Sequence, residues 1–207
     1  MILYCIRHGV TEFNAAGRIQ GQLDSPLSAE GFLQAAAVAE ALASQPIDAV
    51  FASPLRRAAD TAIAIADRLG LNVQYDPRLQ EINAGIFQGL GWPEIGQRFP
   101  TDAAQWRSHD PDYRIPGGES RRDLMHRAQA ALNAIRETGH QQVLVVAHGG
   151  SLAAALKSLL EIPAHRNPFN LQNASITQLQ WTGHDVKLLT LNQVDHLHDL
   201  ASTGGDL

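Results

Sequence analysis

The sequence predicts an α/β fold, a three-layer α/β/α sandwich with a mainly parallel central sheet and an insertion lying over one end of it. Three observations carry this. Short apolar runs alternate along the chain with longer stretches whose apolar residues recur every three to four positions. Two of the runs end in nearly the same signature, Arg7-His8-Gly9 and His148-Gly149, and a third ends at Ser53-Pro54-Leu55-Arg56, as expected of strands that open onto one crevice. From Arg78 to Ser120 the periodicity fails and Gly, Pro, Trp and isolated charges collect, which places a lid insertion at about residues 82–120.

The elements follow in order. Residues 2–6 form a buried strand running into the Arg7-His8-Gly9 loop. Ser28 is an N-cap for a helix whose Phe32, Ala35, Ala36, Ala39, Leu42 and Ala43 share a face, and Gln45-Pro46 ends it. Residues 48–52 are a second strand, after which Ser53 caps a helix with Pro54 at its first position and Gly70 as its stop. Residues 72–75 are a short strand. Residues 119–138 are helical, with Leu124, Ala128, Ala131, Leu132 and Ile135 on one face and Gly139 at the end. Residues 143–147 are the most apolar strand and lead through His148-Gly149-Gly150 into a helix reaching Leu160. Residues 173–181 and 186–192 are the last strands, joined by the turn Thr182-Gly183-His184-Asp185. Together these elements make one domain over residues 1–200, with 201–207 a disordered tail.

Composition excludes several function classes. The 207 residues carry 16 Lys+Arg against 21 Asp+Glu, a net charge of −5, so the basic face of a nucleic-acid binder is not expected. No apolar run approaches a membrane span and no leader pattern opens the chain, so a soluble, cytoplasmic protein with no membrane partner is expected. A single cysteine, Cys5, makes neither an internal disulfide nor a metal cluster and reads as a small buried hydrophobe. His196 and His198, between Asp195 and Asp199, read as a polar chain end and not as a metal site.

Arg7, His8, Arg56 and His148 brought round one crevice would make a concentrated positive site in a negative protein. Phosphate is the natural occupant: guanidinium groups offer it paired donors, and helices starting after the strand ends add free N–H groups. Neither a Walker loop nor a dinucleotide glycine fingerprint is present. Arg56 and Arg57 are neighbours on a helix, about 100° apart, so only one of them can face the pocket.

The ordered motifs resemble those of the histidine phosphatase, or phosphoglycerate mutase-like, superfamily, over roughly residues 1–197. They are Leu3 to Asn14 around Arg7-His8-Gly9, Gly17-Arg18-Ile19-Gln20-Gly21, Asp24-Ser25-Pro26-Leu27-Ser28, Ser53 to Ala58 with Thr61, Leu79-Gln80-Glu81-Ile82 with Gly85 and Gly89, Pro116 to Ser120, and Val145 to Gly150. The resemblance implies His8 as a nucleophile that carries a phosphohistidine and Glu81 as proton donor and later base. It implies that Arg7, Arg56, which the family spacing selects, and His148 bind the phosphoryl group. Asn14, Gln20, Gly21 and Gly149 would assist, and no metal or other cofactor is implied.

The implied activity is hydrolysis of a small phosphorylated substrate, with inorganic phosphate as product. A mutase also needs cations for the far end of its substrate, and the segment from Ile82 to Trp92 carries none, which favours water as acceptor. Phosphoglycerate mutase or sugar bisphosphatase activity is the runner-up, with Arg107, Arg114, Arg121 and Arg122 as contacts for a second anionic group; a binding module without turnover stands third. Relative to the small phosphatases of the superfamily, including broad-specificity and alpha-ribazole phosphatases, a Trp-Glu pair is here Phe87-Gln88. Trp92, Trp106, Phe87 and Phe99 either line the substrate pocket or pack the insertion onto the body.

Overall fold

The computed structural model describes residues 1–183 and 185–201. Strand β1 (Ile2–Arg7) is followed by the short helix α1 (Glu12–Ala15) and by α2 (Ala29–Leu42). Strand β2 (Ala49–Ala52) leads to α3 (Arg56–Leu69), and β3 (Val73–Tyr75) to 3-10 turns at Pro77–Leu79 and Gly85–Phe87. Helices α4 (Trp92–Arg98) and α5 (Pro100–Arg107) precede α6 (Arg121–Glu137). Strand β4 (Gln142–Ala147) and α7 (Gly149–Leu159) come next, then β5 (Ile176–Thr182), β6 (Asp185–Gln193) and α8 (His198–Ala201).

The six strands form one sheet in the order β3-β2-β4-β1-β5-β6. The first four are mutually parallel, while β5 and β6 add an antiparallel edge. Alternation along the strands divides the core. Leu3, Cys5, Val143 and Val145 pack under α6 and α7, whereas Tyr4, Ile6, Leu144 and Val146 pack under α2 and α3. Neighbouring strands β1 and β4 thus send their following helices to opposite faces, and the crevice between their carboxyl ends is where an open α/β sheet binds ligand.

Three expectations are corrected. Phe32 and Ala36 of α2 point outward, Phe32 being 50% exposed, because Gly31, Gln34, Ala35 and Val38 form the buried face. Ser53 does not cap α3: Leu55 is the N-cap residue, without a side-chain bond, and Ser53 is used elsewhere. The 82–120 stretch is not aperiodic coil, since it holds α4 and α5 around a small cluster of Ala84, Phe87, Ile95, Ala103 and Ile115. Each of those helices buries one residue only, Ile95 or Ala103, which leaves no stripe for a periodicity argument to find. Ala201 closes α8, so the expected tail beyond it, like His184 in the β5–β6 turn, lies outside the described residues.

Candidate active site

Parallel pairing of β1 with β4 sets Arg7 opposite Ala147, so the next residues, His8 and His148, leave the sheet side by side. Their ring centroids are 5.1 Å apart with planes tilted by 59°. Both side chains are buried. His8 Nδ1 lies 2.7 Å from the Gly9 carbonyl, which can only accept, so the proton sits on Nδ1 and the lone pair on Nε2. Burial, and then the charges of Arg57 and Arg7, hold His8 well below the usual imidazole range against the opposing bond to Gly9. A neutral imidazole with a free Nε2 is a competent nucleophile.

His148 Nε2 lies 2.8 Å from Ser53 Oγ, whose oxygen accepts the Leu55 N–H at 3.3 Å, so the serine hydroxyl can donate to Nε2 and leave the imidazole proton on Nδ1. The serine read as a helix cap therefore positions the second histidine. Burial first, then Arg57, His8 and Arg7, push His148 well below its ordinary range, and its Nδ1 is buried without a partner.

Arg57, not Arg56, is the arginine of the crevice. With α3 starting at Arg56, that side chain is 60% exposed and faces Asp60 at 3.5 Å. Its backbone N–H donates to Asp24 Oδ1 at 2.9 Å. Arg57, one position on and 1% exposed, turns inward, where Nη1 donates to the Leu23 carbonyl at 2.9 Å and Nη2 to the Gly21 carbonyl at 2.7 Å. Gly21 presents that carbonyl from φ +55°, a left-handed conformation that favours glycine. Burial lowers Arg57 to about 10, partly opposed by Glu81 and Asp24. Arg7 donates through Nη1 to the Leu171 carbonyl at 2.6 Å. Among the described residues six buried side-chain N or O atoms have no partner, and Arg7 Nε, Arg57 Nε and His148 Nδ1 are three of them. Such donors are costly unless an anion completes them.

The loop after β1 supplies amides. Asn14 Oδ1 accepts the Thr11 N–H at 3.1 Å and Asn173 Nδ2 at 3.3 Å, which leaves its own Nδ2 for a ligand. Gln20 Oε1 accepts from Thr11 Oγ1 at 3.0 Å and from Ser25 Oγ. Asn173, which the sequence reading did not single out, also donates to the His8 carbonyl at 3.0 Å. Gly149 packs beside Arg7, its Cβ position lying 3.5 Å from Nε.

Glu81 closes the opposite wall. Its Oε1 accepts the Ile82 N–H at 2.8 Å and Oε2 the Gly150 N–H at 2.9 Å. A Cβ on Gly150 would stand 2.3 Å from Oε1, so that glycine is what lets the carboxylate reach the start of α7. Arg127 of α6 clamps the segment, donating to the Gln80 carbonyl at 2.5 Å and the Glu81 carbonyl at 2.8 Å while pairing with Glu119 at 2.8 Å. Arg7, His8, Asn14, Gln20, Gly21, Arg57 and Glu81 thus surround one cavity of about 240 Å³.

Residues 3–194 match the family model described as histidine phosphatase superfamily (branch 1). The chain belongs to this superfamily. Among similar histidine phosphatases, a glucosyl-3-phosphoglycerate phosphatase from Mycolicibacterium vanbaalenii is 40% identical over 88% of this chain and 84% of its own. A protein of Proteus mirabilis named "Probable phosphoglycerate mutase GpmB" is 39% identical over 96% of each chain. The solved mycobacterial glucosyl-3-phosphoglycerate phosphatase complexed with VO3 superposes with a TM-score of 0.85 at 36% identity, covering 93% of this chain and 99% of that one.

Within this superfamily member, the Phe87-Gln88 departure serves the insertion. Phe87 is buried in its small core, and Gln88 Oε1 accepts the Gln22 N–H at 2.7 Å, a role a carboxylate fills equally. Trp92 sits at the surface on Phe87 and Arg107, Phe99 packs on the same small core, and Trp106 stacks under Arg121. Away from the site, His196 Nε2 donates to the Ala174 carbonyl at 3.0 Å. No described helix is long and apolar enough to cross a membrane.

Proposed function

We propose that the protein hydrolyses small phosphomonoesters through a phosphohistidine on His8, with Glu81 as the proton donor. The observation that carries this reading is a neutral His8 whose Nε2 is free, set in one cavity with partnerless donors of Arg7 and Arg57 beside that of His148. Nε2 attacks phosphorus as the bond to the ester oxygen breaks, and Glu81 gives that oxygen its proton. Charge spread over the equatorial oxygens is met by two guanidinium groups and the His148 N–H, so the reading assigns no step to a metal or other cofactor. Water then attacks the phosphohistidine, Glu81 takes its proton, the P–N bond breaks, and inorganic phosphate leaves with His8 restored.

The relatives' names include both phosphatases and a mutase. Residues 82–92 bring no cation to the cavity, and Arg18 at its edge is already engaged by the Gly89 carbonyl and Glu94, which supports water as the acceptor. Release of inorganic phosphate from a panel of phosphomonoesters in EDTA is the test, run beside bisphosphate-primed interconversion of phosphoglycerates. Phosphate release is expected to exceed interconversion by orders of magnitude. The reverse ratio would make the protein a mutase, and activity lost in EDTA and restored by a divalent ion would end the metal-free reading.

A further inference from the structure

A second cavity of about 240 Å³ adjoins the first and shares Ile82 and Gly150 with it as walls. Trp106, Leu124 and Ala153 give it apolar sides, and Arg121 and Lys157 stand among them. The Arg121 guanidinium lies flat on Trp106, its Cζ 3.4 Å from the ring centroid. Nη2 donates to the Trp106 carbonyl at 2.9 Å, while Nη1 is buried with no partner. Lys157 is 5% exposed, and its Nζ donates to the Ala164 carbonyl at 3.0 Å. Among the described residues, neither has a carboxylate within ion-pair distance, although Asp110 is near enough to support the Arg121 charge. Burial lowers Arg121 to about 10, and burial followed by the Arg121 charge lowers Lys157. A half-buried arginine and a buried lysine facing one cavity repel each other unless an anion joins them.

We propose that this second cavity receives the leaving alcohol of the ester and that Arg121 and Lys157 bind a second anionic group carried on that alcohol. The inference rests on the phosphatase reading, because the shared wall of Ile82 and Gly150 runs from the Glu81 carboxylate, where the ester oxygen departs, into this cavity. The apolar walls suit a short carbon skeleton. The free Nη1 and the remaining Nζ protons suit one carboxylate or one phosphate at its far end. Arg121 and Lys157 are then specificity residues, distinct from the group that transfers phosphate.

The test compares kcat/KM for 3-phosphoglycerate, propane-1,3-diol bisphosphate and glycerol 1-phosphate in the wild type, Arg121→Gln and Lys157→Met. The wild type is expected to prefer one or both anionic esters. Each variant is expected to erase about 10–100-fold of that preference, mainly through KM, the size of one or two charge-assisted hydrogen bonds. The ester that loses more tells carboxylate from phosphate. Inhibition by inorganic phosphate reports that the first cavity is intact and should move by less than about threefold, as expected of substitutions outside it. Equal losses on all three esters, or an unchanged preference, would overturn the inference. A wild type inert on every ester would strike the phosphatase reading instead. Calorimetric titration of the same esters into His8→Ala, alone and combined with Arg121→Gln or Lys157→Met, so that no ester is cleaved, then decides the cavity by binding alone, a common affinity across the esters counting against it.

Discussion

Around the first cavity, Arg7, His8, Arg57 and His148 stand at the ends of strands or the start of a helix and are tied to Leu171, Gly9, Leu23, Gly21 and Ser53. Across Ile82 the wall is set by Trp106 of α5, Arg121 and Leu124 of α6, and Ala153 and Lys157 of α7. The first arrangement fixes donors on the sheet, in low-dielectric surroundings, where reorganisation at the moment of reaction is small. The second places a stacked arginine and a buried lysine on the helices that cover the sheet, with a tryptophan of the insertion beside them, away from the strand ends. On the proposed reading, transfer of the phosphoryl group belongs to the first region and choice of alcohol to the second.

Glu81 stands on the border between them and gives the largest expected effect outside the nucleophile. Glu81→Gln should slow cleavage of alkyl phosphates by about 10²–10⁴-fold, the usual contribution of a general acid, and slow a nitrophenyl ester much less. Equal losses on both esters, in a variant that still binds phosphate, would give the segment a structural role only. Next comes the sharpest break within the first region itself, between adjacent residues. Arg57→Ala is expected to cost about 10²–10³-fold in kcat/KM, as for removal of a preorganised donor, and Arg56→Ala less than about threefold. Comparable losses in the two would contradict the inward turn of Arg57.

That pair shows where sequence reading stops. The strand ends were legible because apolar runs followed by Arg7-His8-Gly9 and His148-Gly149-Gly150 carry period and punctuation together. Which arginine faces inward depends on where α3 begins, and a two-residue shift of its start is within the ordinary uncertainty of helix ends. Ser53, adjacent to Pro54, looks like a cap, and only the third dimension shows its hydroxyl against His148. The roles of Gly150, Asn173 and Arg127 arise from contacts across 69, 165 and 46 positions of chain, which local pattern does not encode. The insertion hid its helices because each buries a single side chain.

The smallest effect is on stability. His8 and His148 are held neutral in the fold, below the ~6.5 expected of unfolded histidine. The unfolded chain therefore binds more protons below that pH. Their neutral burial leaves stability intact above pH ~6.5 and drains it as pH falls toward their folded values, by up to about 1.4 kcal/mol per pH unit for each. Urea midpoints between pH 7.5 and 5.5 should fall, less steeply in His148→Gln. A flat profile in the wild type would mean that the native site already holds protonated imidazole.

Rapid quenching of the wild type with a phosphorus-labelled ester, followed by digestion and identification of the labelled peptide, tests the division of labour at its root. The label should be acid-labile and base-stable, should sit on the peptide containing His8, and should vanish in His8→Ala while that variant still binds inorganic phosphate. Label on His148, or label that persists in His8→Ala, would contradict the assignment of transfer to the end of β1.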